Sequence, residues 1–156
     1  MRRFLAACFL AAAAAIPFPS AHAVGDDSAA APGAPADPDV ETGKAAIRAK
    51  DWNAAIVAFG KVAAKDPKDA NAQNFLGYAY RMSGRLDLAF KHYNEALRVD
   101  PRHRGAHEYI GEAYLMKGDL AKAKEHVAQL DRICFFGCTE LTDLKKAVAE
   151  FEKKGK

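Results

Sequence analysis

Hydroxyl nucleophiles are scarce in this chain: serine occurs only at Ser20, Ser28 and Ser83, the first inside an N-terminal leader and the last beside Gly84 in a turn signal. Serine catalysis, which needs a nucleophile held against a base, is therefore poorly provided for. No glycine-rich phosphate loop is present, and neither Cys134 nor Cys138 stands in the C-x-x-C-H pattern that attaches haem covalently. Alternation of apolar and polar residues, the mark of a half-buried strand, is absent throughout, which excludes a sheet protein. The longest uninterrupted apolar run, Phe4 to Ile16, would span only ~20 Å as a helix, short of the ~30 Å hydrocarbon core of a bilayer. Charge of one sign is lacking too. The formal net charge is +3, and without Arg2 and Arg3 it falls to about +1, too little to draw the chain to nucleic acid or anionic lipid.

What the first residues do supply is a charged start, an apolar segment and small side chains at Ala21 and Ala23. That is the layout of a secretory signal peptide over residues 1–23, cut after Ala23. Leu5-Ala6-Ala7-Cys8 resembles a lipoprotein processing box, but only Phe4 separates it from the arginines, too little apolar segment to insert. Arg2-Arg3 without a surrounding twin-arginine pattern is ordinary leader charge. An exported, periplasmic protein is expected. Residues 24–39, rich in Ala, Pro and Asp with no aromatic, are expected to form a disordered, extended tether.

Beyond the tether the chain repeats itself. Gly43, Gly77 and Gly111 are thirty-four residues apart, as are Ala55, Ala89 and Ala123; Phe59, Tyr93 and Val127; and Pro67 and Pro101. A period of this size means copies of one supersecondary unit stacked into a continuous core. In the second copy, Phe75, Leu76, Ala79 and Tyr80 recur at helical spacing, Ser83-Gly84 stops the helix, and Leu86, Ala89, Phe90, Tyr93, Ala96 and Leu97 mark a second helix closed by Asp100-Pro101.

With Leu76, Gly77, Tyr80, Ala89, Tyr93, Ala96 and Pro101 at seven of eight signature positions and Gln73 where tryptophan is usual, the unit resembles a tetratricopeptide repeat. The resemblance is strong in the middle copy. It is weaker in the first, where Thr42, Ala46 and Val62 depart and the first helix is expected to be short or frayed. The third has Ile110 for leucine, Val127 for the aromatic and Phe135 for the closing proline. The expected fold is all-α: a short α-solenoid of about three helix-turn-helix repeats, at 40–67, 70–103 and 104–133, with a capping helix over 139–154. Its apolar stripe is Leu141, Leu144, Val148 and Phe151, and Thr139 is the expected N-cap.

Cys134 and Cys138, left as an even pair once Cys8 departs with the leader, flank Phe135-Phe136-Gly137. Gly137 permits a turn that brings them together. A structural disulfide between last repeat and cap is expected in an exported chain, while a redox-active or copper-binding dithiol is the alternative. His103 and His107, four apart, suggest a shared face, but no third ligand accompanies them and His103 falls before the helix. No cofactor or metal is expected. Arg98, Arg102, His103 and Arg104 form a basic cluster at the second inter-repeat turn.

The resemblance implies that the first helix of each repeat lines a concave groove. By register this selects Lys44, Ile47 and Arg48; Asn71, Asn74, Tyr78, Arg81 and Met82; and Glu108, Glu112, Leu115 and Met116. Asparagines suit an extended backbone, Tyr78 and the methionines adaptable apolar contact, and the arginines an acidic side chain or carboxylate terminus. A hydrated polar face on a structural module is the plain alternative. The lysine-asparagine-arginine clamp for a terminal carboxylate is not reproduced. A non-enzymatic adaptor for a peptide or partner protein is thus expected, with a thiol-based redox or copper-handling factor as the other function class.

Overall fold

A computed structural model describes residues 37–155. The leader over 1–23 and nearly all of the 24–39 tether lie outside the described residues. Among those described there are seven helices and no strand: α1 (Pro38–Arg48), α2 (Trp52–Lys65), α3 (Ala70–Met82), α4 (Leu86–Val99), α5 (Arg104–Met116), α6 (Leu120–Ile133) and α7 (Thr139–Lys154). None is long and apolar enough to cross a membrane. Helices pair α1 with α2, α3 with α4 and α5 with α6. Each pair stacks on the next through α2 on α3 and α4 on α5, and α7 lies across α5 and α6.

Local chemistry explains the elements. Asp51, Asp69 and Asp119 each accept a hydrogen bond from a first-turn backbone N–H of α2, α3 and α6, satisfying a donor the helix leaves open. Each first helix of a pair ends in the same turn, with a residue of positive φ at Lys50, Gly84 and Gly118. In all three, the next residue's N–H closes a 2.9 Å bond to the carbonyl five residues back: Asp51 to Ala46, Arg85 to Tyr80, Asp119 to Tyr114. Glycine suits that conformation; Lys50 adopts it against its Cβ.

Helix α1 is regular over eleven residues rather than short. Asp37 caps it and Pro38 takes the first-turn position where a missing N–H costs nothing. Residues 38 and 39, expected in the tether, are helix. Lys65 of α2 pairs with Asp37 and Asp39, at 3.1 and 2.6 Å, tying this first turn to the stack. At the other end Cys138, not Thr139, occupies the N-cap of α7, and it makes no side-chain capping bond.

Close approach between paired helices is set by glycine against a bulky ring. Gly43 faces Phe59 and Gly77 faces Tyr93, with no room for a Cβ in either place. Val127 is too small to do this for Gly111, and Leu144 of α7 covers it instead. Phe59, Tyr93, Leu130 and Leu144 are among the largest fully buried side chains. The core thus runs continuously from α1 to α7.

Candidate functional site

Helices α3 and α5 are buried nearly all round, because each is enclosed by its own partner and by neighbouring pairs. Their shared face carries an aromatic row. Trp52 meets Tyr78 edge-on at 6.1 Å, Tyr78 meets Tyr109 at 5.1 Å, and Tyr109 meets Tyr93 at 6.2 Å. The Arg81 guanidinium lies 5.3 Å from the Tyr78 ring and 5.4 Å from that of Tyr109. It also pairs with Glu112 at 2.7 Å, and its Nε donates to the Tyr93 hydroxyl at 3.3 Å. Contact with cationic Arg81 lowers the phenol of Tyr93, but burial outweighs it and raises the group well above its ordinary value.

This corrects the expectation that Arg81 captures an acidic ligand, since its charge is neutralised and its face stacked within the protein. Asn74 and Tyr78 are likewise buried rather than open. Asn71 is engaged as well: His103 caps α5 by accepting from the Ala106 N–H through Nδ1 at 3.1 Å, so its Nε2 carries the proton and donates to Asn71 Oδ1 at 3.0 Å. Lys44 is half-buried, 4.0 Å from Glu41. Arg48, Met82 and Met116, at equivalent repeat positions, are the open members of the set. Ile47 packs inward with Phe75 and Tyr78, and Leu115 packs against Val148.

Acidic groups gather on α5 and α7. Glu108 is buried, and desolvation, helped by Glu112, Asp143 and Glu140, pushes its carboxyl up to about 8, with Arg81 opposing. Glu140, in the first turn of α7, places one carboxylate oxygen 3.9 Å from Arg104 Nε while its other oxygen accepts no hydrogen bond. Asn74 Oδ1 is also buried without a partner. Glu140, Tyr109 and Trp52 escaped the sequence reading: Glu140 lies beyond the recurring segment, and the two rings occupy positions outside the repeat signature.

His103 precedes α5 as its N-cap, where the sequence reading places it, and His107 is packed within the helix pair. His107 Nε2 donates to the Pro101 carbonyl at 3.1 Å, so its Nδ1 accepts from His126 Nδ1 at 3.1 Å. Burial, with His107 adjacent, holds His126 down at about 4. The basic cluster is divided too, Arg98 being bound twice by Glu95 and Arg104 facing Glu140. Cys134 and Cys138 are joined in a disulfide with Cα atoms 5.6 Å apart. Among the described residues the one set that brings three potential metal-ligand atoms within 4.8 Å of one another is Cys134, Cys138 and Glu140. A metal there would need the sulfurs reduced to thiolates.

Comparison with known proteins matches this geometry. Solved helical-repeat structures align with the chain, among them the following three. The TPR2B domain of yeast Sti1, solved as a complex with pHsp70, superposes with a TM-score of 0.68 at 17% identity, covering 74% of this chain and 94% of that one. The Yersinia enterocolitica type III secretion chaperone SycD, in complex with a peptide of the translocator YopD, gives 0.65 at 18% identity over 76% of this chain and 92% of that one. PcrH with the chaperone binding region of PopD gives 0.64 at 20% identity over 74% and 86%. No curated protein matches the chain. The tetratricopeptide repeat family model matches residues 40–98 and 91–133, more than half of the sequence and all three helix pairs, so the chain belongs to the tetratricopeptide repeat family.

Proposed function

We propose that this protein is an exported, non-enzymatic adaptor that holds an extended segment of a partner protein against the groove formed by α1, α3 and α5. The observation that carries it is the line of equivalent side chains Arg48, Met82 and Met116, which stay open to solvent while the residues behind them are packed. Two methionines, 42% and 54% exposed, offer adaptable apolar contact beside a rigid aromatic row. Recognition is then equilibrium binding by a preformed surface, with little ordering cost in the adaptor itself. SycD and PcrH, similar in fold, are known bound to a translocator peptide and to a chaperone binding region. Export follows from the leader and accords with the disulfide. A thiol-based factor is less well supported, because Cys134 is packed with Leu130, Leu141 and Leu144.

The test is photo-crosslinking in the exporting cell. A benzophenone side chain at Met82 or Met116 should yield discrete protein adducts, whereas one at Val57, exposed on α2, should not. Equal labelling from all three positions, or none from the methionines, would remove the groove from consideration. Recovery of the protein with an N-terminus other than Val24 would place the leader boundary elsewhere.

A further inference from the structure

We propose that the loop closed by the Cys134–Cys138 disulfide is a shallow membrane anchor, whose Phe135 and Phe136 rings enter the headgroup region of a zwitterionic lipid bilayer. It goes beyond the adaptor function and does not depend on the groove. The rings are 86% and 97% exposed, whereas Val57, the next most exposed large apolar side chain among the described residues, is at 60%. The fold does not ask for rings here. Thirty-four residues earlier the equivalent positions hold Pro101 and Arg102, and in the copy before that Pro67 and Lys68, all facing solvent. Gly137, with φ of 84°, turns the chain and its N–H donates to the Cys134 carbonyl at 2.8 Å, while the disulfide joins the ends of the loop. The rings are thus held out with little freedom left to lose on docking.

Area and charge select the occupant. Two phenyl rings offer on the order of 300–450 Å², well under the ~800 Å² each partner gives to a stable protein interface, and the residues beside them, Gly137 and Thr139, are small. A bilayer needs no matching shape, because binding there scales with the apolar area immersed. Shallow insertion also leaves the loop's backbone amides at a depth where water still reaches them. Over residues 131–146, Arg132, Lys145 and Lys146 stand against Asp131, Glu140 and Asp143, with Lys145 3.0 Å from Asp131. That balance provides no field to favour anionic lipid, so the rings carry the contact and the lipid it suits has no net charge.

The experiment mixes the processed chain, purified from the exporting cell, with unilamellar phosphatidylcholine vesicles and measures co-sedimentation. The native protein should partition onto the vesicles, and Phe135→Ser with Phe136→Ser, melting like the native chain, should lower the partition coefficient about tenfold or more. High salt, or phosphatidylglycerol added to the vesicles, should leave partition unchanged, since screening does not act on an apolar contact. Fluorescence of a Phe136→Trp variant should be quenched by phosphatidylcholine brominated on its acyl chains, while native Trp52, half-buried in the stack, should not be. No partition, equal partition of the serine variant, or an unquenched Phe136→Trp variant would overturn the anchor. Partition abolished by high salt would assign the contact to basic side chains and overturn it too. Capture of a protein by the native chain but not by the serine variant, with no partition onto vesicles, would give the tip to a partner's pocket and likewise overturn it. None of these results bears on crosslinking from Met82 and Met116, so the anchor and the groove fail separately.

Discussion

Leu144 sits over Gly111: a Cβ built on that glycine would come within 2.6 Å of the leucine's terminal carbons. In the two preceding pairs the equivalent contact is made inside the repeat, by Phe59 over Gly43 and Tyr93 over Gly77. The last repeat lacks its aromatic, Val127 standing in that place, and the structure completes it from outside with α7. The cap is therefore a component of the third repeat's core as well as its cover.

Leu144→Ala should then destabilise the whole domain by about 2–5 kcal/mol, the range for a fully buried leucine that leaves a cavity. Gly111→Ala should also be costly in the native background, where the packed leucine has to shift. In the Leu144→Ala background the same change should cost less, because the added methyl enters the space vacated. Urea titration of the four proteins gives the coupling energy. Strict additivity would show that the contact does not govern this packing.

Charge reversal at Arg81 should act on the fold before it acts on binding. Its guanidinium is buried, paired with Glu112 and enclosed by tyrosines, so Arg81→Glu leaves acidic groups facing one another in the interior. A loss of about 3–5 kcal/mol is expected from breaking a buried pair. Arg48→Glu, on an open position, should leave the melting temperature nearly unchanged. Circular dichroism melts of the two variants should differ sharply. Similar melts would contradict the burial of Arg81.

Lys50 offers a test in the stabilising direction. It is the non-glycine member of the series Lys50, Gly84, Gly118, with φ of 58°. A left-handed conformation costs a side-chain-bearing residue roughly 1–2 kcal/mol. Lys50→Gly should recover up to about 1 kcal/mol after the added flexibility of the unfolded chain is subtracted. A chemical-denaturation midpoint that falls would mean that the lysine side chain contributes more than its backbone costs.

Much of this architecture is legible in the sequence, since a thirty-four-residue recurrence of small and aromatic residues reports the helix contacts that need them. The start of α1 is not, because a proline suits an extended tether as well as a first helical turn, and only packing by Lys65 on Asp37 and Asp39 decides. Register places Arg81 and Asn74 on the first-helix face. It does not reveal that Glu112 neutralises one, or that the other is sealed between α3 and α5. Glu140 lies beyond the recurring segment, so no repeat position points to it; its place beside Arg104 follows from how α7 docks.

The disulfide should be structural. It closes a small loop, and removing it by Cys134→Ser with Cys138→Ser should cost on the order of 2 kcal/mol by the chain-entropy argument, lowering the melting temperature while peptide capture survives. The tip it presents, Phe135 and Phe136, is 86% and 97% exposed, and the two rings meet edge-on at 5.1 Å. Replacing both by serine should change stability by less than about 0.5 kcal/mol. Loss of capture in the cysteine-free variant, with its helices intact, would assign the pair a direct role in binding.

Stability should fall as pH rises from about 6.5 to 8 because of Glu108. The group faces Glu112 on its own helix, Glu140 and Asp143 on α7, and Arg81 on α3, and in the folded chain it holds its proton up to about 8. The unfolded chain releases that proton near 4.3. Between those limits the native state binds more protons, so stability declines with increasing pH. His126 works in the opposite sense: held down at about 4 when folded, it is protonated in the unfolded chain up to about 6.5, and stability rises with pH across that window. The two slopes oppose one another below 6.5, and above it Glu108 acts alone. Glu108→Gln should flatten the profile from 6.5 to 8 and exceed the native protein in stability at pH 8. Urea midpoints at half-unit pH steps measure both slopes. A native profile already flat over that interval would place Glu108 in water rather than in the packed face between α5 and α7.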